Sequence, residues 1–263
     1  TPAPEVSTIE LRAGSSYVFE SDFDGDDTGG TESIEARARL TWKYLLTENW
    51  RFSLGAGYAR FDFPGASGPI PDALQQVTGE IGIEYLVRGR PAFFLSSRPG
   101  FYYTDQVNAD AFDAPVVLAI AFPVSKQLIL SVGAIYSRFR ETPVLPIAGL
   151  IWDINDNLTL NLIAPEPALT YRCESGTEIS LKGELTGTSV HAGDDLPEPY
   201  AGDNLDYLDL RAGLGVRFGG KANWTASFDA GWSFMRKFEY DDRGEDFKQE
   251  GAPYVKVRFD YTF

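Results

Sequence analysis

Cysteine is almost missing: Cys173 stands alone among 263 residues. A lone thiol forms no internal disulfide and no thiolate metal cluster. Histidine is equally scarce, with His191 the single one. Basic residues are outnumbered, 23 Lys and Arg against 38 Asp and Glu, for a net charge of -15. That balance disfavours nucleic acid as a partner. No run approaches the roughly 18 consecutive apolar residues of a membrane helix. This excludes a helical membrane protein but not a β-barrel, whose alternating strands average to near-neutral hydropathy. Mean hydropathy is -0.20. The opening TPAPE has no basic or apolar leader, so an exported chain is expected to have lost its signal peptide.

What is plentiful is aromatic and glycine content. Phe, Trp and Tyr make up 14% of the chain, and the 26 glycines are scattered through it. Period-2 alternation dominates, and helical periodicity is hard to find. Fourteen candidate strands follow, near 6–20, 32–46, 49–63, 74–88, 91–104, 112–124, 127–139, 143–154, 157–165, 167–175, 177–189, 204–218, 223–238 and 251–263. The strands at 157–165 and 167–175 barely reach the roughly 9–11 residues of a tilted spanning strand; merging strands there would leave twelve. Long polar connections such as DFDGDDTGGTE alternate with tight ones such as TEN, RGR and SKQ. A sandwich has no reason to keep that rhythm. An up-and-down meander with all its long loops at one end does, and it predicts one domain over 1–263.

Each strand has an apolar and a polar side. Over 204–218, Leu208, Leu210, Ala212, Leu214, Val216 and Phe218 alternate with Asp209, Arg211, Gly213, Gly215 and Arg217. Aromatics collect at both ends of the apolar stripes. Trp42, Tyr44, Trp50, Phe52, Phe93, Trp224 and Tyr261 mark the short-turn end. Tyr17, Phe19, Tyr58, Phe101, Tyr103, Tyr136, Trp232 and Phe234 mark the long-loop end. Two aromatic girdles around an aliphatic band are the pattern of two membrane interfaces. The chain also ends YVKVRFDYTF, with Val257, Phe259, Tyr261 and Phe263 on one side. This stretch resembles the C-terminal assembly signal of bacterial outer-membrane β-barrels. The resemblance implies an all-β antiparallel transmembrane barrel of the bacterial outer membrane. It also implies partners: outer-membrane lipid, lipopolysaccharide and the barrel-assembly machinery.

If the apolar stripes face lipid, the alternate positions face the lumen. The candidates are Arg12, Arg37, Arg39, Lys43, Arg51, Glu80, Glu84, Arg98, Arg172, Lys182, Asp209, Arg211, Arg217, Asp229, Lys256 and Arg258. They are either compensated ion pairs or the lining of a selective water-filled pore. Gly82, Gly213, Gly215 and Gly231 leave interior space, which favours water. Two strands, 112–124 and 143–154, are apolar on both sides. They suggest an apolar lumen patch or a surface for a partner protein or a second copy of the chain.

The acidic excess sits in the long loops. Asp22, Asp24 and Asp26 faintly resemble a calcium loop, since alternate carboxylates supply oxygen ligands, but no downstream Glu completes it. No other cofactor is expected. His191 lies near Ser189 and Asp194 without a sign of an oriented general base, so no enzyme is expected. The first functional expectation is a porin-like channel for small polar solutes. The alternatives are a transporter of apolar solutes and a structural or adhesion barrel acting through its acidic loops.

Overall fold

A computed structural model of the chain describes residues 7–24, 30–66, 68–193, 196–219, 223–241 and 245–263. Among these residues all regular structure is β. The segments are β1 (Ser7–Asp22), β2 (Gly30–Leu45), β3 (Trp50–Asp62), β4 (Ala73–Tyr85), β5 (Ala92–Ser97), β6 (Gly100–Tyr103), β7 (Phe112–Asp113), β8 (Val116–Pro123), β9 (Leu128–Tyr136), β10 (Val144–Asn155), β11 (Leu158–Asn161), β12 (Ala168–Arg172), β13 (Glu178–His191), β14 (Asn204–Phe218), β15 (Trp224–Tyr240), β16 (Glu245–Gln249) and β17 (Ala252–Thr262). Three wall strands are built of two segments each. Prolines, which carry no backbone N–H, mark two of the breaks, at Arg98–Pro99 and Ala114–Pro115. The register runs through both, as Gly79 N–H donates to Pro99 O at 2.8 Å and Arg98 N–H to Pro115 O at 2.9 Å. β16 and β17 lie end to end along β15. The result is fourteen wall strands, not twelve.

Neighbours in sequence are neighbours in space, and the ends meet. β17 pairs with β1 from Glu10↔Thr262 to Val18↔Tyr254. Phe263 N–H donates to Ile9 O at 2.9 Å. Closure removes the edge that an open sheet would expose to lipid. The outward stripes stay accessible: Leu214, Phe259 and Phe263 are 63%, 42% and 64% exposed. A belt of Leu, Val, Phe and Trp on the outside of a closed barrel is the inverse of a soluble protein, and its solvent is the hydrocarbon of the outer membrane.

The wall is uneven. β11 and β12 have only 4 and 5 residues, shorter than the 9–11 expected, because the chain turns back at Ile163–Pro167. At the long-loop end β13 passes beyond them, and its last residue, His191, bridges Tyr103 of β6 in parallel. Tyr103, expected in the outer girdle, is buried in this junction at 9% exposure. The long strands thus draw together into a narrow upper part. The strands from β8 to β12 lie outside this junction, because β13 meets β6 directly there.

Candidate channel interior

All sixteen predicted lumen residues share the inward face, since the pairs Arg12↔Asp260, Arg51↔Glu84, Arg172↔Glu178, Lys182↔Gly213 and Asp229↔Lys256 keep one side throughout. Their surroundings differ with height. Near the short turns the charges pair but stay accessible. Arg12 meets Asp260 at 2.6 Å, Lys43 meets Glu10 at 2.7 Å, and Arg51 meets Glu84 at 3.3 Å. Arg39 and Arg98 share Glu80 at 3.4 and 3.5 Å. Arg172 and Arg217 share Glu178 at 2.9 and 3.6 Å. A cavity of about 340 Å³ opens here, lined by Glu10, Arg12, Lys43, Glu80, Arg217 and Asp260.

Half-way up, the charges link non-adjacent strands. Lys182 of β13 reaches Asp229 of β15 at 2.6 Å, passing over Gly215 of β14. A Cβ on Gly215 would lie 2.1 Å from Asp229 Oδ1 and 2.8 Å from Lys182 Cε. The space beside Gly215 therefore holds an ion pair, not water. Gly213 and Gly82 are filled likewise, by Tyr254 and Ser53, and at Gly231 the Ala212 backbone comes close. Lys256 meets Glu184 at 2.6 Å. Arg258 meets Glu166, from the turn between β11 and β12, at 2.5 and 3.2 Å.

Higher still, Asp209 and Arg211 do not line the lumen at all. Arg211 and Asp209 are 1% and 0% exposed. Arg211 Nε donates to Asp209 Oδ2 at 2.7 Å, and its Nη1 to Ser16 Oγ at 2.9 Å and Glu35 Oε2 at 3.4 Å. Ser233 Oγ donates to the second Asp209 oxygen at 2.7 Å. Arg37 bonds Thr186 Oγ1 at 2.5 Å, pairs with Glu35, and lies 5.1 Å above the Phe61 ring. Burial of Asp209, Glu35 and Arg211 is tolerable only because each is paired and hydrogen-bonded. Together they tie β14 and β13 to β1 and β2 across the bore.

Above this layer the mouth is packed with aromatics that the alternation alone did not identify. Phe61, Phe63, Tyr207 and Phe238 are 0–2% exposed, with centroids 4.9–5.5 Å apart. Leu74, Tyr102, Phe139, Val190 and Tyr240 join them. A register shift in β15, where Leu210 opposes Met235 and Arg211 opposes Ser233, turns Arg236, Phe238 and Tyr240 inward while Phe234 stays outside at 57% exposure. Plain alternation assigns Phe238 to lipid; the bulge overrides it. Most inward residues of β8 to β10 are of a third kind: Val117, Ala119, Ile135, Leu145 and Ile147 form an apolar wall, and the charge on this face, Asp153, stands at the short-turn end of β10.

The remaining expectations find these places. Among Asp22, Asp24 and Asp26, the last lies outside the described residues. Among the described residues no group of three His, Cys, Asp or Glu side chains is placed to hold a metal ion. His191 stacks on Phe139 at 6.2 Å; Asp194 lies outside the described residues. Val257, Phe259, Tyr261 and Phe263 face outward on the closing strand.

Barrels of known structure share this fold. The TodX monoaromatic hydrocarbon channel, a Pseudomonas putida toluene transporter, aligns as a variant with 9% identity and a TM-score of 0.54, over 99% of this chain and 91% of that one. A second TodX variant aligns with 10% identity and a TM-score of 0.50, over 99% and 91%. An outer membrane channel of Pseudomonas putida F1 aligns over 100% of both chains with 10% identity and a TM-score of 0.49. No curated protein matches the sequence. The family model described as a domain of unknown function, DUF6268, matches residues 14–262, and the chain belongs to that family, as a fourteen-stranded β-barrel of the bacterial outer membrane.

Proposed function

We propose that this barrel is an outer-membrane channel for small apolar solutes. One observation carries the reading: the bore has an apolar side, β8 to β10, beside a charged side whose ions are mutually neutralised. An open polar pore, the first expectation from sequence, needs free charge and a wet mouth. Here the cations pair with carboxylates, and the long-loop mouth holds packed aromatic rings. An apolar molecule is stabilised by leaving water along Val117, Ala119, Ile135 and Ile147, whereas an ion pays for the water it sheds there. TodX, a channel for monoaromatic hydrocarbons, supports the solute class only as a precedent for this architecture.

The test compares two fluxes. Cells bearing the chain should take up phenylnaphthylamine, an apolar dye that lipopolysaccharide excludes, several-fold faster than cells without it. Proteoliposomes of the purified chain should show no sugar-dependent swelling. Swelling that falls with sugar size, with unchanged dye uptake, would restore the polar porin.

A further inference from the structure

We infer that the loop between β9 and β10, residues 137–143, is a pH-controlled strap that seats Phe139 in the aromatic mouth in a mildly acidic medium and withdraws it as the medium turns alkaline. The inference concerns how the mouth is regulated and holds for any solute class. The first observation is what the strap closes. Phe139 is 1% exposed and belongs to the cluster of Phe61, Phe63, Tyr207 and Phe238. Phe61, Tyr207 and Phe238 are carried by wall strands. Phe139 is carried by a loop, so it can leave without unpairing any strand.

The second is how the strap is held. At one end Ser137 Oγ donates to Asp113 Oδ2 at 2.7 Å, and Arg138 Nη2 donates to Asp110 O at 3.1 Å. At the other end the loop reaches past β13 to Asp206 of β14. Asp206 accepts the Glu141 backbone N–H and the Ser189 hydroxyl, and it attracts Arg140. Between the two ends Phe139 stacks on His191, the last residue of β13. Each of these ties ends on a side chain or a loop carbonyl, so the strap is a separable unit and not part of a ladder.

The third is the company Asp206 keeps. Asp203 lies just before β14, Glu239 is on β15, and Asp241 follows β15 with its N–H on Asn204 O at 3.1 Å. Glu141 arrives with the strap itself. Among the described residues these carboxylates face Arg140 and Lys237, and Lys237 is already held by Glu239 at 2.8 Å and Asp246 at 3.3 Å. Asp206 Oδ1 and Asp241 Oδ1 are buried with no hydrogen-bond donor among the described residues. Charge so crowded is tolerated while one member carries a proton. Asp241 is that member, since burial and its four acidic neighbours push it up to about 7. Protonated, it stabilises the closed strap; ionised, it repels Glu141. If release returns Asp241 to its ordinary 3.8, linkage multiplies the released population about tenfold between about pH 6 and about pH 8.5.

Hydrogen exchange of the native chain in bilayers reads the strap directly. Corrected for intrinsic chemistry, amides 138–142 should exchange about threefold to tenfold faster at about pH 8.5 than at about pH 6, with the β13–β14 ladder unchanged. Asp241→Asn should abolish that difference and keep the loop protected at both values. Asp206→Ala removes the latch and should leave the loop fast at both. A native difference below about threefold, one that survives Asp241→Asn, or native protection in Asp206→Ala overturns the strap. Histidine is the other residue type that changes charge near neutrality, so His191→Gln is the control and should keep the response. Its loss there would move the switch to His191 and overturn the carboxylate device. Withdrawal of Phe139 is read separately, in a Cys173→Ser background. A sulfonated maleimide added to whole cells should label Phe139→Cys at least about threefold faster at the higher pH than it labels the same variant carrying Asp241→Asn. Equal labelling means that position 139 stays in the core, and the proposal falls. Neither assay involves a solute, so failure here leaves the apolar channel standing.

Discussion

Arg211 shows how far one side chain governs the bore. It is fully enclosed and holds Asp209 and, through Ser16, Glu35. Arg211→Met leaves the buried Asp209 without its cation and should cost about 3–5 kcal/mol, the scale of a broken buried pair. Urea unfolding in micelles measures it, and Arg211→Lys should recover part of the loss. The outer face obeys the opposite rule. Leu214 lies on the stripe between Trp224 and Trp232, so Leu214→Arg should cost about 2–4 kcal/mol in bilayers. A third residue answers to pH. Asp241, in the loop after β15, is pushed up to about 7 by burial and by Asp206, Asp203, Glu141 and Glu239. An acid whose folded pKa exceeds its unfolded value stabilises the fold while protonated. Its contribution is full below the ordinary value of 3.8 and is lost as pH rises through about 7. Asp241→Asn should therefore remove a fall in urea midpoint between those two pH values.

Among elements, the turn between β11 and β12 is drawn toward the bore by one side chain, Glu166. Both strands are too short to cross the hydrocarbon unaided, and Glu166 anchors their turn to β17. Glu166→Gln removes the charge from that anchor. Amide exchange over Asn161–Ala168 should quicken about tenfold, equivalent to some 1.4 kcal/mol of local opening, while the β13–β14 ladder keeps its protection. The elements themselves were readable in sequence to within a few residues, because alternation and turn chemistry are local. The alternation in 223–238 ran true up to Phe234 and failed beyond it, since a bulge is decided by the partner strand. Glu166 carried no signal at all: its partners lie 90 and 92 residues away in sequence.

For the molecule as a whole, the decisive feature is that the upper strands close on a packed core while the lower ones enclose a cavity. Phe61 and Phe238 sit in that core. The double variant Phe61→Ala, Phe238→Ala should turn a bilayer-silent barrel into one with stable ohmic conductance, at least about tenfold above the native level. Each truncation costs about 3–5 kcal/mol, so folded yield is measured first by β-sheet circular dichroism. No gain in conductance from folded variant would mean that the aromatic core is not what closes the mouth.

Sequence by itself determined the membrane and the two faces, and left the strand count at fourteen or twelve. A spanning strand must alternate lipid and lumen, and that period of two is written in adjacent residues. It also contained the closing strand, YVKVRFDYTF, whose apolar stripe meets lipid and whose Lys256 and Arg258 turn inward. Only the tertiary structure decided what the lumen is. Whether Arg211 lines water or is buried depends on Glu35 and Ser16, far away in the chain. Whether the bore is open depends on His191 of β13 reaching Tyr103 of β6. Those are contacts between distant segments, set by how a shortened pair of strands lets one side of the wall close before the other, and no local pattern records them.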